Sequence, residues 1–387
     1  MLSLRPSRKL CHSAATAAAT AADLSVSRSK PSVLDKLKAE RDPDKLFHLF
    51  KANATNRHVI LNRVAFDDTV SRLAGARRFD YIEHLLEHQK TLPRARREDF
   101  VVRIITLYGK AGMTKHAIDT FNHMRCRRTV KSFNAALNVL ALSRNFENIV
   151  DFLSQVPPRY DIQLDVFSLN IVIRAFCEIG RLQEAYLFML DNESKGIQPD
   201  VVTYTTLVSA FYKNKSWEIG NGLWNRMVLK GCMPNLATFN VRIQFLITVR
   251  RAWDANELMR LMHRIGIVPD EVTYNLVIKG FFLAGYGDMA KRVYSALLGK
   301  GYKPNAKIYQ TMIHYLCRNR EFDVAYTMCK DSIWKNWWPD VNTICVLLQG
   351  LKGTGQISKG IVIITSAKKR VPPFSSAHLA SMQSALT

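Results

Sequence analysis

A Pro-Asp or Pro-Asn dipeptide returns every 35 residues, at Pro199-Asp200, Pro234-Asn235, Pro269-Asp270, Pro304-Asn305 and Pro339-Asp340. Glycine stands three residues ahead of the first four prolines, at Gly196, Gly231, Gly266 and Gly301, and Asn336 takes that place in the fifth. Gly or Asn tolerates the left-handed cap that ends a helix, and Pro cannot continue one. A helix stop at one fixed period excludes most single-core folds. It demands an array of short units that bury their apolar faces against one another.

Four residues after each stop comes an aromatic: Tyr204, Phe239, Tyr274 and Tyr309. It opens a helical stripe. Tyr204, Leu207, Val208 and Phe211 are spaced i, i+3, i+4, i+7, one face of an α-helix. The same spacing holds in Leu169, Val172, Ile173, Phe176, in Tyr274, Val277, Ile278, Phe281, and in Tyr309, Met312, Ile313, Leu316. Phe239, Ile243 and Leu246 follow it, with Arg242 interrupting. A second helix fills the rest of each unit, its buried face marked by Ala185 and Met189, by Ala255, Met259 and Met262, and by Ala290, Tyr294 and Leu297.

The expected fold class is therefore all-α, an α-solenoid of stacked helix-turn-helix repeats. Eight units are expected: 63–97, 98–129, 130–165, 166–200, 201–235, 236–270, 271–305 and 306–340. The first three are less regular, with Phe66, Val70, Leu73 in the first and 32 and 36 residues in the next two. Residues 31–62 are expected to form a helical N-terminal cap carrying Leu46, Leu49 and Phe50. Residues 341–387 are expected to form a degenerate repeat and C-terminal cap, with Ile344, Leu347, Leu348 and Leu351 apolar.

Charge narrows the partners. The 387 residues carry 55 Lys+Arg against 32 Asp+Glu, a formal net charge of +23, and 48% are hydrophobic. That composition excludes a disordered chain. The charge favours a polyanion such as nucleic acid, or an anionic membrane surface. No run of 18 apolar residues exists to cross a membrane as a helix. Seven scattered Cys make neither a disulfide framework nor a zinc ribbon. Residues 1–30 hold Arg5, Arg8, Lys9, Arg28 and Lys30 against one acid, Asp23, amid Ser and Ala. This is the composition of an organellar transit peptide. Mitochondrion is favoured, with chloroplast the alternative, and a reducing matrix suits the unpaired Cys.

The unit VVTYTTLVSAFYKNKSWEIGNGLWNRMVLKGCMPN, Val201–Asn235, and EVTYNLVIKGFFLAGYGDMAKRVYSALLGKGYKPN, Glu271–Asn305, resemble pentatricopeptide repeats (PPR). The resemblance covers residues 63 to 340 and is strong over 166–340. The tetratricopeptide repeat is the rival, but its Trp-x-x-Leu-Gly-x-x-Tyr signature is missing. Uniform 35-residue units look like the P class of plant organelles. The resemblance implies a right-handed solenoid that binds single-stranded RNA, one base per repeat, in parallel orientation. It implies no catalysis, no cofactor and no bound metal.

Two residues of each unit are similar to the family's base-reading pair: the one after the aromatic position, and the last. The chemistry supports that choice. A carboxylate only accepts, which suits the N3–H of uracil or N1–H of guanine, whereas Asn can donate to the bare ring nitrogen of cytosine or adenine. At the first place Thr leaves room for a purine and Asn favours a pyrimidine. Carried over residue by residue, Asn134 with Asp165 implies U, as does Asn170 with Asp200. Thr205 with Asn235 implies A, and Asn240 with Asp270 implies U. Asn275 with Asn305 implies C, or U less well. The expected core is 5′-U-U-A-U-C/U-3′. Val102 with Thr129 and Gln310 with Asp340 are weaker pairs, and Asp67 with Arg97 matches no pair. The second position of each unit is similar to the family's base clasp; Phe167, Val202 and Val272 fit it, and Lys131, Ala237 and Lys307 depart. Asn and Asp at helix starts are equally ordinary caps, and that alternative stays open.

Arg127, Arg128, Lys131, Arg250 and Arg251 are phosphate-contacting candidates. His84-Leu85-Leu86-Glu87-His88 matches the inverted zincin pattern, but no distal acidic ligand can be nominated, so it reads as a helix face rather than a metal site. Trp334, Trp337 and Trp338 read as packing rather than as a stacking platform. The absence of Cys-x-x-Cys and of His-x-Glu with a downstream Pro-Cys argues against a cytidine deaminase. Two functions follow: an organellar RNA-binding factor for transcript stability, processing or translation, or a structural subunit of the mitochondrial ribosome, in its small subunit. A protein-binding scaffold is the third. No membrane or small-molecule partner is expected.

Overall fold

The computed structural model describes residues 32–56, 58–59 and 62–387. The transit-peptide expectation, residues 1–30, lies outside them. Among the described residues every regular element is helical. The fold is an all-α helical repeat solenoid. The chain divides into a first unit ending at Ala95 and a second covering Arg96–Thr387.

The first unit holds helices Val33–Ala39, Pro43–Ala52, Arg63–Gly75 and Phe79–Thr91. Its centre is Phe50 edge-on to Phe66, ring centroids 4.8 Å apart. Phe47 stacks on Tyr81 at 4.0 Å, and the Tyr81 hydroxyl donates to Asp44 at 2.7 Å. Gln89 is buried and donates its amide to the Ala54 carbonyl at 3.0 Å, which satisfies a chain turn with no helical partner. His84 lies edge-on to Phe47, so the His-x-x-Glu-His helix turns one of its histidines into this packing.

In the second unit each repeat is a leading helix, a tight turn and a trailing helix. The leading helices are Glu98–Lys110, Val130–Leu142, Val166–Ile179, Val201–Lys213, Leu236–Thr248, Glu271–Leu283, Ala306–Arg318 and Val341–Gly353. Consecutive leading helices pack side by side. The predicted stripes lie at these contacts: Leu169, Val172, Ile173 and Phe176 are buried, as are Tyr204, Leu207, Val208 and Phe211 and their equivalents in the next repeats. Each fully buried Leu, Ile or Phe contributes about 1.5–3 kcal/mol relative to exposure. Arg242, the interruption, is accommodated by aromatic faces. Its guanidinium lies 5.6 Å from the Trp224 ring and 5.3 Å from Phe245, and it donates to the Tyr212 hydroxyl and the Asn221 side-chain oxygen.

The unequal spacing of the early repeats is absorbed by the trailing helices. Thr114–Asn122 has nine residues and Phe146–Tyr160 has 15, against 13 in each trailing helix from Leu182–Ser194 to Phe322–Trp334. The leading helices keep 13 or 14 residues throughout. The final helix, Ser376–Leu386, packs on Val341–Gly353 and Ile357–Lys368 and buries Met382 and Leu386.

Each trailing helix ends where the period demanded. Gly301 has φ of 81° and Asn336, in the equivalent place, 57°. Both are left-handed, the conformation that Gly and Asn hold at least cost. Trp337 packs near Tyr309 (6.0 Å) and Trp338 against Phe374 (5.3 Å). Trp334 departs from the packing expectation: it closes the exposed end of its helix and is 83% accessible.

Candidate nucleic-acid interface

The last residue of each repeat is the N-cap of the next leading helix. Asp165 accepts the Ser168 backbone N–H at 2.8 Å, Asp200 that of Thr203 at 2.9 Å, Asn235 that of Thr238 at 3.0 Å and Asp270 that of Thr273 at 2.8 Å. Each hydroxyl answers by accepting the cap's own N–H, completing a capping box. The capping alternative is therefore a fact of the fold, and it does not exhaust these side chains.

The residue after the aromatic position reaches across to the same cap. Asn134 Nδ2 donates to Asp165 Oδ1 at 3.0 Å, Asn170 Nδ2 to Asp200 Oδ1 at 3.1 Å and Asn240 Nδ2 to Asp270 Oδ1 at 3.4 Å. The members of these three pairs lie 30 or 31 residues apart in sequence, and the fold brings them into contact. Every hydrogen bond that Asp165, Asp200 and Asp270 accept from the protein falls on Oδ1. Their Oδ2 atoms keep acceptor capacity on half-buried carboxylates. Each is an oriented acceptor that a ring N–H could meet.

The hydroxyl in the capping box also holds the pair. Ser168 Oγ donates to Asn134 Oδ1 at 2.6 Å, Thr203 Oγ1 to Asn170 Oδ1 at 2.6 Å and Thr273 Oγ1 to Asn240 Oδ1 at 2.7 Å. In the third pair along the chain Thr205 Oγ1 lies 2.8 Å from Thr238 Oγ1, and Asn235 uses only Oδ1, leaving its amide N–H groups as donors. The sequence reading missed these hydroxyls. Their signal was present: an Asp or Asn followed three residues later by Ser or Thr.

Asn275 and Asn305 are not bonded to each other. Ile308 stands where the other repeats have Ser or Thr. Asn305 Oδ1 caps its N–H at 3.1 Å, and Asn305 Nδ2 donates to Glu271 Oε2 at 2.8 Å. Asn275 Oδ1 is buried without a partner.

The two weaker pairs differ again. Val102 offers no polar group, and the Thr129 hydroxyl is held by Glu98 at 2.9 Å. Burial acts to raise the Glu98 carboxyl, but hydrogen bonds from Ser132 and Thr129 outweigh it and hold the group below the usual carboxylate range. Gln310 donates to Asp340 Oδ2 and to Thr343 Oγ1 (2.8 Å), while Asp340 Oδ1 caps Thr343. Both Asp340 oxygens are thus engaged.

The second positions Phe167, Val202 and Val272 are 69%, 55% and 51% accessible, and Lys131, Ala237 and Lys307 are exposed too. Between the leading helices of repeats 166–200 and 201–235 lies a cleft of about 570 Å³ lined by Arg174, Thr205, Ser209 and Lys213 among others. The basic candidates separate by partner. Arg127 and Lys131 are exposed. Arg128 donates to the Phe121 carbonyl at 3.1 Å and lies over the Tyr160 ring at 4.5 Å. Arg250 occupies a left-handed turn and donates to the Leu283 carbonyl, and Arg251 pairs with Asp254 at 2.6 Å.

Comparison with known proteins agrees with this architecture. Residues 164–213 and 199–248 match the PPR repeat family, and 103–128 and 272–302 match the PPR repeat. A mitochondrial pentatricopeptide repeat-containing protein of Arabidopsis thaliana is 58% identical over 60% of this chain. The match spans 61% of that relative's own length. The small ribosomal subunit protein mL103 of Arabidopsis thaliana is 34% identical over 96% of this chain and 91% of its own. The crystal structure of the pentatricopeptide repeat protein PPR10 from maize superposes with a TM-score of 0.54 at 17% identity, over 92% of this chain and 60% of that one.

Proposed function

Because the chain belongs to the pentatricopeptide repeat family, we propose that it binds single-stranded RNA in mitochondria, taking one base per repeat on the leading-helix face. The observation that carries this reading is the open Oδ2 of Asp165, Asp200 and Asp270, held in one register beside an amide that is itself held. A cap needs only one carboxylate oxygen. An oriented second oxygen supplies an acceptor for a uracil N3–H. Asn235 supplies a donor in the same register, which suits adenine N1. The exposed Phe167, Val202 and Val272 are the surfaces on which bases would lie. Arg127 and Lys131 supply free cations for phosphates. The mitochondrial address is supported by the basic, acid-poor residues 1–30 and by the mitochondrial relatives. No catalytic step belongs to this reading.

Binding of the purified chain to an RNA containing 5′-UUAUC-3′ tests it. Anisotropy should show a clear preference over the scrambled sequence, and equal affinity would refute base reading.

A second reading is supported by one observation, the match to a small ribosomal subunit protein over nearly the whole of both chains. As a ribosomal subunit the protein would contact RNA mainly through its cations. Sedimentation of mitochondrial lysate in high salt separates the two. Comigration with the small subunit favours the ribosomal role, and a free pool favours the transcript-binding role.

A further inference from the structure

Between the trailing helices Ala252–Arg264 and Gly287–Gly299 lies a cleft of about 410 Å³, lined by none of the base-reading residues. Arg260, His263, Arg292 and Lys300 line it, and no Asp or Glu among the described residues does. Asn256 and Tyr274 line it too, 5% and 2% accessible, and neither side chain is hydrogen-bonded to another described residue. Buried polar groups normally find partners, so these two mark a place where a ligand can supply them.

Two periods earlier the same positions form a closed network. There Glu193 holds Arg226 and Lys230 beside Tyr204. In the cleft His263 stands in place of Glu193, Ala296 in place of Arg226 and Lys300 in place of Lys230, while Arg260 and Arg292 take the places of Leu190 and Gly222. The carboxylate that neutralised the cluster is gone, a methyl replaces the side chain that filled it, and two guanidinium groups are added. One repeat further on, Asp331 supplies a carboxylate instead: it accepts from the Tyr309 hydroxyl and pairs with Lys335 at 2.9 Å. Lys300 meets only the imidazole Nε2 of His263. Among the described residues neither Arg292 nor Lys300 forms an ion pair, and Arg260 pairs with Glu257 at 2.9 Å.

We propose that this cleft binds a phosphate of an RNA strand outside the leading-helix face, a second RNA contact on the trailing helices. The inference rests on the RNA-binding reading above and extends it to a new surface. Like charges gathered in one cleft repel, and a bound anion relieves that cost. Guanidinium forks and an ammonium match phosphoryl oxygens, and the Tyr274 hydroxyl and Asn256 amide are further donors.

Three probes of the full chain test this: 5′-UUAUC-3′ alone, the same core within long unstructured flanks, and inorganic phosphate. The double variant Arg292→Ala, Lys300→Ala should bind the flanked RNA about 10-fold more weakly, with the salt slope lowered by about 1.4, two contacts at about 0.7 each. It should bind the short core as wild type does. Ala296→Asp places a carboxylate where Asp331 stands one repeat on, and should weaken the flanked RNA likewise. The double variant, confined to exposed side chains, carries the test should Ala296→Asp fold poorly. Acylation of Lys300, read by mass spectrometry, should be suppressed by the flanked RNA and not by the short core. Equal affinity of wild type and double variant for the flanked RNA overturns the inference. With that equality, protection of Lys300 by inorganic phosphate assigns the cleft to a small anion, and protection by polyglutamate assigns it to an acidic protein. A short core bound no better than its scrambled form removes base reading, and the inference stands if the flanked RNA still separates wild type from the double variant. If neither RNA binds, both fall.

Discussion

Asn170 donates its side-chain amide to Oδ1 of Asp200 at 3.1 Å, the same oxygen that accepts the backbone N–H of Thr203 at 2.9 Å. Two donors converge on one oxygen, and the other oxygen of the carboxylate is left to the solvent. The fold thus fixes the side chain by a helix cap and keeps half of it for recognition. Capping and recognition are two uses of one residue, and they separate by mutation.

Asp200→Asn should show that separation. Asn caps a helix about as well as Asp, so stability should change by less than about 0.5 kcal/mol. The acceptor becomes a donor, so the second base should move from U toward C by about 10-fold in relative affinity. Asp200→Ala should lose both, at about 1 kcal/mol of stability. Urea unfolding and anisotropy on the paired RNAs give the two numbers. A base preference unchanged in Asp200→Asn would reduce the residue to a cap.

The cationic candidates should divide by what they already bind. For a single strand the slope of log K against log salt is about −0.7 per phosphate contacted. Five bases and about four contacted phosphates give a slope near −3. Lys131→Ala removes an exposed charge and should lower the slope by about 0.7 with no change in melting. Arg128→Ala removes a group that caps carbonyls and covers Tyr160. It should lower the melting temperature and leave the slope in place. The reverse pattern would move the phosphate contact from Lys131 to Arg128.

The turn between leading and trailing helices holds a left-handed residue at every repeat of the second unit, Gly at Gly180 and Gly285 but Lys at Lys215, with φ of 63°. A non-glycine residue there costs about 1–2 kcal/mol, part of which glycine returns as chain entropy in the unfolded state. Lys215→Gly should therefore stabilise the chain by about 0.5–1 kcal/mol. Gly180→Ala, at φ of 90°, should destabilise it by at least as much. Denaturant midpoints measure both. A destabilised Lys215→Gly would mean that the lysine side chain, rather than the backbone, decides this turn.

The repeat period made the helices legible. Every stop in the 35-residue series is a left-handed residue followed by a cap, because only a few residue types do either task. The pairing of Asn134 with Asp165 was legible only through the resemblance, since periodicity says nothing about which polar side chains touch. Gln310 is long enough to span the same gap and donates to Asp340, but in doing so it takes up the carboxylate oxygen that the stronger pairs leave open, a difference the sequence does not display. The engagement of Arg128 and Arg250 was hidden. A run of basic residues looks the same whether its members face solvent or cap a carbonyl several residues or a whole repeat away. The restriction of length changes to the trailing helices was hidden too, although 32- and 36-residue units were counted. A count locates an insertion within a unit and not on one of its helices.

Glu193 joins two repeats by charge. It lies in the trailing helix of repeat 166–200, accepts from Arg226 in the next trailing helix at 2.6 Å and pairs with Lys230, that helix's C-cap, at 2.8 Å. Its side chain is only 11% accessible. The Lys230 and Arg226 hydrogen bonds hold its carboxyl below the usual carboxylate range. A carboxyl lowered on folding stabilises the folded state above its unfolded pKa, about 4.3, and that contribution is lost as pH falls through the lower folded value. Glu193→Gln keeps the shape and removes the charge. It should melt below wild type at pH 7. The gap should narrow as pH falls below the unfolded carboxyl pKa of about 4.3 and close only once pH has fallen through the lower folded value, where wild type has itself been neutralised. Melting scans of both proteins from pH 7 to pH 3 measure this, and a gap that stays constant with pH would assign the role of Glu193 to its packing and hydrogen bonds alone.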